Sequence, residues 1–282
     1  MLQPPHLQPR TNAPAPDLRI VPVDSLLPHE THDDQRSLPL IENLRQAEVM
    51  INPPVVAPLE DTHGEEQFVI LDGANRCHTF RHLDYPHILV QVVAYDSGYV
   101  ELDTWRHVVS RWNKTALLDA LHQLNGVEIH AGAEGHAVAH FVLPDQQIIA
   151  LGAPLEITHE RNTLLRDVVG IYQQNAVLNR TAMQEPDEIW PLYPEAVALV
   201  IFPHYEPSDI LAAARHHAYL PPGVSRHIIH GRALRVNYPM ALLREQETSL
   251  ESKNAALQGW IQDKIARRQV RYYAEATYQF DE

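Results

Sequence analysis

Cysteine is almost missing from this chain: Cys77 is the only one in 282 residues. No internal disulfide can form, which makes a reducing compartment, the cytoplasm, the expectation. Long apolar runs are missing as well, so no stretch reads as a membrane span. The first residues lack the charged region and apolar stretch of a secretion signal. Positive charge is scarce, with 22 Lys and Arg against 36 Asp and Glu and a formal net charge of −14. A duplex-DNA binder draws much of its affinity from neutralising phosphates with basic side chains. Here only Arg267, Arg268 and Arg271 form a basic run, so nucleic acid is not expected as the main partner. Two familiar ways of holding a nucleotide are also missing, since neither a Walker A pattern nor a protein-kinase glycine loop occurs.

What remains is ordinary globular composition, 45% hydrophobic and 21% charged, enough for a sizeable core. The pattern predicts an α+β protein. Residues 1–16, rich in proline, read as a flexible arm. A first domain is expected over 17–112, a second α+β domain over 113–240, and a C-terminal helix and tail over 241–282. Strands are predicted at Leu18–Val23, Val55–Leu59, Phe68–Leu71, Ile88–Tyr95, Phe141–Leu151 and Val197–Phe202, and a turn at His63–Glu66. Helices are predicted over 38–48, Ala74–Leu83, Leu164–Tyr172, Ile210–Tyr219 and 241–270. In the last, Leu243, Leu250 and Leu257 fall at heptad spacing, but Gln246 and Lys253 interrupt the second seam position. That favours packing on its own domain and leaves a homodimer contact open.

The most informative segment is Gln67–Arg76. A buried strand delivers the chain to Asp72-Gly73, and a helix begins at once with Ala74, Asn75 and Arg76. Free N–H groups and the dipole of a helix N-terminus suit an anion. Gly73 lets backbone approach a ligand closely. Arg76 opposes the helix dipole unless a bound phosphate compensates it. Asp72, at the strand end, is placed to hold Mg²⁺ or a hydroxyl. The plain alternative is a helix-capping turn with a solvated arginine.

Strand-Asp-Gly-x-x-Arg-helix resembles the ParB/sulfiredoxin-like nucleotide-binding module, and within it the free serine kinases. Leu26-Leu27-Pro28-His29-Glu30 is similar to that family's early His-Glu segment, and Gly223-Val224-Ser225-Arg226-His227 to its late Ser-Thr-Arg-His motif. The resemblance implies a kinase that moves a phosphoryl group from ATP or ADP to free L-serine, with Mg²⁺, giving O-phospho-L-serine. It implies Glu30 as catalytic base, with Asp72 also catalytic and a candidate Mg²⁺ ligand. Asp72, Gly73, Ala74, Asn75 and Arg76 would bind the nucleotide, and His29, Trp105, Ser225, Arg226 and His227 would bind serine, in a cleft between the domains. Arg232 and Asn237, polar residues among apolar neighbours, are further candidates. Two departures stand out: Asn75 replaces a frequent histidine, and the late motif reads Val224-Ser225, so that a common threonine is missing or displaced. Sulfiredoxin chemistry is rejected, because the position after the glycine is Ala74 where a nucleophilic thiolate is needed.

The alternative is a ParB-like DNA-binding regulator, or a nucleotide-dependent switch without kinase activity. Without the resemblance, Glu30 reads as a solvated loop acid. His78 and His82 lie one helical turn apart but lack the glutamate pattern of a zinc helix. His130, His136 and His140 are loosely spaced, and His216-His217 reads as a helix C-terminal cap.

Overall fold

The structure, a computed structural model, describes residues 13–32, 34–59, 66–152 and 158–273. The arm expected at 1–16 lies mostly outside these residues, and the turn expected at His63–Glu66 almost entirely. The chain is α+β and falls into two compact units. One draws its described residues from 1–27, 34–101 and 228–282, the other from 28–33 and 102–227.

Strand β1 (Asp17–Pro22) ends at a proline, and β2 (Leu26–Pro28) follows a single 3₁₀ turn. Helix α1 (Asp34–Gln46) leads to the short β3 (Val49–Met50) and to β4 (Val55–Leu59). Strand β5 (Gln67–Asp72) passes directly into α2 (Ala74–His82), which returns through β6 (His87–Val92). These form a five-stranded sheet of order β1-β6-β4-β5-β2. Pro58 lies inside β4, yet β6 pairs with β4 only at Val55 and Val56, so the missing donor falls beyond that ladder.

After β7 (Val100–Thr104), the second unit runs β8 (Arg106–Ser110), α3 (Lys114–His122), β9 (Glu128–Ala131), β10 (Ala139–Val142) and β11 (Ile148–Gly152). It continues through α4 (Thr158–Asn175), β12 (Val177–Thr181), the short α5 (Pro186–Ile189), β13 (Ala196–Ile201) and α6 (Pro207–Arg215). Its six-stranded sheet has the order β12-β8-β13-β10-β11-β9. Strand β14 (Ser225–Ile229) pairs with β7 in a two-stranded ribbon. The chain then closes the first unit with β15 (Tyr238–Pro239), α7 (Met240–Arg244) and α8 (Leu250–Ala266).

The units differ from the contiguous spans 17–112 and 113–240 because long-range pairing ignores chain order. Strand β15 pairs with β3. The Gln91 amide bonds the Gly231 carbonyl at 3.1 Å and the Ala233 N–H at 2.8 Å. Asn254 of α8 exchanges two hydrogen bonds with the backbone of Ile20. Leu243 and Leu257 are fully buried in this unit's own core, with Leu250 beside them.

Helices α1 and α4 begin earlier than predicted, and three further elements need correction. The strand expected over 141–151 is a hairpin, because Pro144-Asp145 turns the chain and Gln146 takes φ 67°. The helix expected over 241–270 breaks at Glu245, whose carboxylate accepts the Thr248 N–H, and restarts where Ser249 caps α8 through the Ser252 N–H. The helix expected over Ile210–Tyr219 starts three residues earlier and ends at Arg215, capped by His216.

Candidate active site

In the first unit, β5 and α2 meet at Gly73, which adopts φ 91°. A side chain there would be strained twice, since a Cβ would also sit 3.0 Å from the Pro54 Cβ. The N-cap Gly73 offers no side chain to α2, and a helix N-terminus suits an anion. Asp72 is ion-paired to Arg232. Burial pushes the Asp72 carboxyl up, but Arg232 and then Arg76 outweigh it and hold the group below the usual carboxylate range. Among the described residues, Nη1 of Arg76 and Nε of Arg232 are buried and meet no hydrogen-bond acceptor. Two guanidiniums with idle buried donors beside a helix N-terminus form a local site of positive potential, ready for a multiply charged anion.

The same turn carries one carboxylate, Asp72, half exposed. Among the described residues no three His, Cys, Asp or Glu side chains gather as a metal site. That donor set fits a Mg²⁺ carried in by phosphates and touched by one carboxylate, rather than a resident ion.

In the second unit, Glu30 is fixed by backbone and side chain together. Its residue forms a parallel bridge with Leu220. The Leu220 N–H donates to the His29 carbonyl at 2.8 Å, and the Thr31 N–H to the Leu220 carbonyl at 2.9 Å. The carboxylate accepts the Gly223 N–H at 2.7 Å, the Ser225 N–H at 2.7 Å and the Ser225 hydroxyl at 2.6 Å. A carboxylate offers about four acceptor positions, and among the described residues one on Oε2 takes no hydrogen bond. The Ser225 hydroxyl spends its proton on Glu30 and therefore accepts from His29 Nε2 at 2.7 Å, which places the imidazole proton on that nitrogen. His29 and His227 meet edge to face at 5.4 Å. Arg226 bonds Asp103 at 3.3 Å and lies over the Trp105 ring at 5.0 Å.

Apart from Asn237, every site residue expected from sequence falls into one of two clusters. Asp72, Gly73, Ala74, Asn75 and Arg76 share the α2 turn, joined by Arg232. His29, Glu30, Trp105, Ser225, Arg226 and His227 gather in the second unit. Sequence reasoning missed Asp103, His107 and Arg180. His107 Nε2 reaches the Gly223 carbonyl at 2.8 Å, and the Arg180 guanidinium donates to the Pro222 carbonyl at 2.9 Å. Nothing local marks either residue, since each is defined by a partner far away in sequence. Asn237 turns out to be a backbone feature, at φ 54° beside β15.

No family model matches the chain. A curated ATP-dependent L-serine kinase, SbnI of Staphylococcus aureus, is 24% identical over 264 residues, covering 93% of this chain and 96% of that protein. The resemblance to the free serine kinases holds. An ATP-dependent L-serine kinase of Staphylothermus marinus is 30% identical over 86 residues, 30% of this chain and 33% of that protein. Among solved structures, C-terminally truncated SbnI from Staphylococcus aureus superposes with a TM-score of 0.70 at 21% identity, covering 89% of this chain and 97% of that one. A free serine kinase variant in complex with AMP gives 0.69 at 15% identity, covering 82% and 95%. At these identities the superpositions establish a shared fold.

Proposed function

We propose that this protein is a nucleotide-dependent kinase of free L-serine, built on a ParB/sulfiredoxin-like first domain. The observation that carries the reading is the convergence on Glu30. A carboxylate near the N-terminus is gripped by Gly223 and Ser225, about two hundred residues on, in a chain that matches an ATP-dependent L-serine kinase over nearly its whole length.

Phosphoryl transfer asks for positioning and charge neutralisation more than covalent help. The serine hydroxyl attacks the terminal phosphorus of the nucleotide. The new O–P bond forms as the bond to the bridging oxygen breaks, and the shortened nucleotide leaves with the electron pair. Glu30 accepts the hydroxyl proton on its open Oε2 position. The donors already on the carboxylate fix its direction, so little reorganisation is needed at the moment of transfer. Arg76, with Gly73, Ala74 and Asn75, holds nucleotide phosphates at the α2 N-terminus. Arg226, stacked on Trp105, keeps guanidinium N–H groups beyond the one used on Asp103, and these meet the anionic end of serine. Mg²⁺, touched by Asp72 and held chiefly by phosphates, would supply further neutralisation of charge. ATP is the favoured donor, since both curated relatives are named ATP-dependent, and ADP is the alternative. The cytoplasm supplies both substrates.

The test is incubation with L-serine, Mg²⁺ and either ATP or ADP, with mass-spectrometric detection of O-phosphoserine. Product with at least one nucleotide is expected. No product with either, together with tight salt-sensitive duplex-DNA binding, would favour the regulator instead.

A further inference from the structure

The turn that grips Glu30 is itself gripped from behind. The peptide unit joining Pro222 to Gly223 sends its N–H to Glu30 Oε2 at 2.7 Å. Its carbonyl accepts from Arg180 Nη2 at 2.9 Å. One amide thus links a cation to an anion. Polarising the carbonyl strengthens the N–H as a donor, as in any chain of hydrogen bonds in a low-dielectric interior. The next carbonyl, that of Gly223, accepts from His107 Nε2 at 2.8 Å, and His107 Nδ1 lies 2.8 Å from the Tyr172 hydroxyl. Because a carbonyl can only accept, Nε2 carries the imidazole proton and Nδ1 accepts from Tyr172. His107 is completely buried. Gly223 adopts φ 74°, and the Arg180 guanidinium occupies the space where a Cβ would project. Glycine is therefore required there twice, for its backbone angle and for the close approach of Arg180.

We propose that Arg180 and His107 are positioning residues for the phosphoryl-transfer reaction, acting through the Pro222–Gly223–Val224 turn to aim and stabilise the Glu30 carboxylate. The inference rests on Glu30 being the base. Arg180 stands on β12, His107 on β8 and Tyr172 on α4, so three elements of the second unit converge on one turn. A core that needed only to be filled would not spend a buried imidazole, a buried phenol hydroxyl and a guanidinium on two consecutive carbonyls.

A double-mutant cycle tests it, using Arg180→Met, Glu30→Gln and the pair, with O-phosphoserine formation followed in all three and in the wild type. If Arg180 acts through Glu30, Arg180→Met lowers kcat about tenfold, the size expected for losing a charge-assisted hydrogen bond. KM for serine and calorimetric nucleotide affinity stay near wild type. The acid limb of the pH–rate profile moves to higher pH, and Arg180→Lys restores part of the loss. In the Glu30→Gln background the same substitution has little further effect, because the group it serves is gone. Full multiplication of the two losses would show a merely structural role and overturn the proposal. So would unchanged kcat in Arg180→Met. Should Arg180→Met not fold, Tyr172→Phe, which keeps the ring and removes only the hydroxyl, replaces it in the same cycle with the same two outcomes. Normal turnover in Glu30→Gln itself would instead remove the base assignment on which the inference stands.

Discussion

The two clusters satisfy their polar groups in opposite ways. At the β5–α2 turn, positive groups are left wanting among the described residues: a buried Arg76 Nη1 and a buried Arg232 Nε beside a helix N-terminus, with one carboxylate between them. Around Glu30 nearly everything is provided from within the unit, down to the second tier of bonds from Arg180 and His107. The first arrangement suits a region that acquires its counter-charge from a ligand. The second suits a group that must already point correctly before the ligand arrives. Binding and chemistry are thus separable by substitution.

The largest expected effect is on the chemistry. Glu30→Gln keeps shape and removes the proton acceptor, so the rate of O-phosphoserine formation should fall by about 10²–10⁴, in kcat more than in KM. Steady-state kinetics with a sensitive phosphoserine assay would check this, and normal turnover would reduce Glu30 to a loop acid. Next, Arg76→Ala removes a charge-assisted phosphate contact and should weaken nucleotide affinity by about 10–100-fold. Unchanged calorimetric affinity would mean that the α2 turn is only a turn. Arg226→Ala should raise KM for serine by about tenfold while sparing nucleotide affinity.

A stability effect belongs to His107. Burial lowers its pKa from the ordinary 6.5 to about 4, the hydrogen bond to Gly223 only partly opposing that. Between these values the unfolded chain binds a proton that the native one does not, so stability drops as pH falls through the window. The full contribution is on the order of 3 kcal/mol. Replacing His107 with Gln should flatten the dependence of Tm on pH between about 6.5 and 4, and an unchanged slope would show that other groups set it. The smallest effect is expected at Cys77, which neighbours Arg76 in sequence but is buried with its thiol pushed up to about 12. It should resist thiol reagents in the folded protein, and Cys77→Ala should leave nucleotide affinity unchanged.

The same contrast explains what could be read in the sequence. The α2 turn lies within ten contiguous residues, where strand, glycine and arginine appear in order, so its geometry was legible locally. Glu30 is a loop acid by local criteria and gains meaning only from partners at Gly223 and Ser225, which required the family resemblance to connect. His107 and Arg180 carry no local mark, because hydrogen bonds to distant carbonyls leave no periodic trace. Helix α8 and its break were misjudged for a related reason: the Thr248-Ser249 cap was present, but leucine spacing ran through it. The division into units was hidden because β3 and β15, which pair, are nearly two hundred residues apart.

The separation of binding from chemistry is tested most directly by titrating ATP calorimetrically into Glu30→Gln and Arg76→Ala side by side, with phosphoserine formation measured on the same samples. Glu30→Gln should bind ATP like the wild type and barely turn over. Arg76→Ala should bind ATP about 10–100-fold more weakly, and its turnover at saturating nucleotide should recover toward the wild-type rate. Loss of ATP binding in Glu30→Gln, or wild-type ATP affinity in Arg76→Ala, would contradict the account.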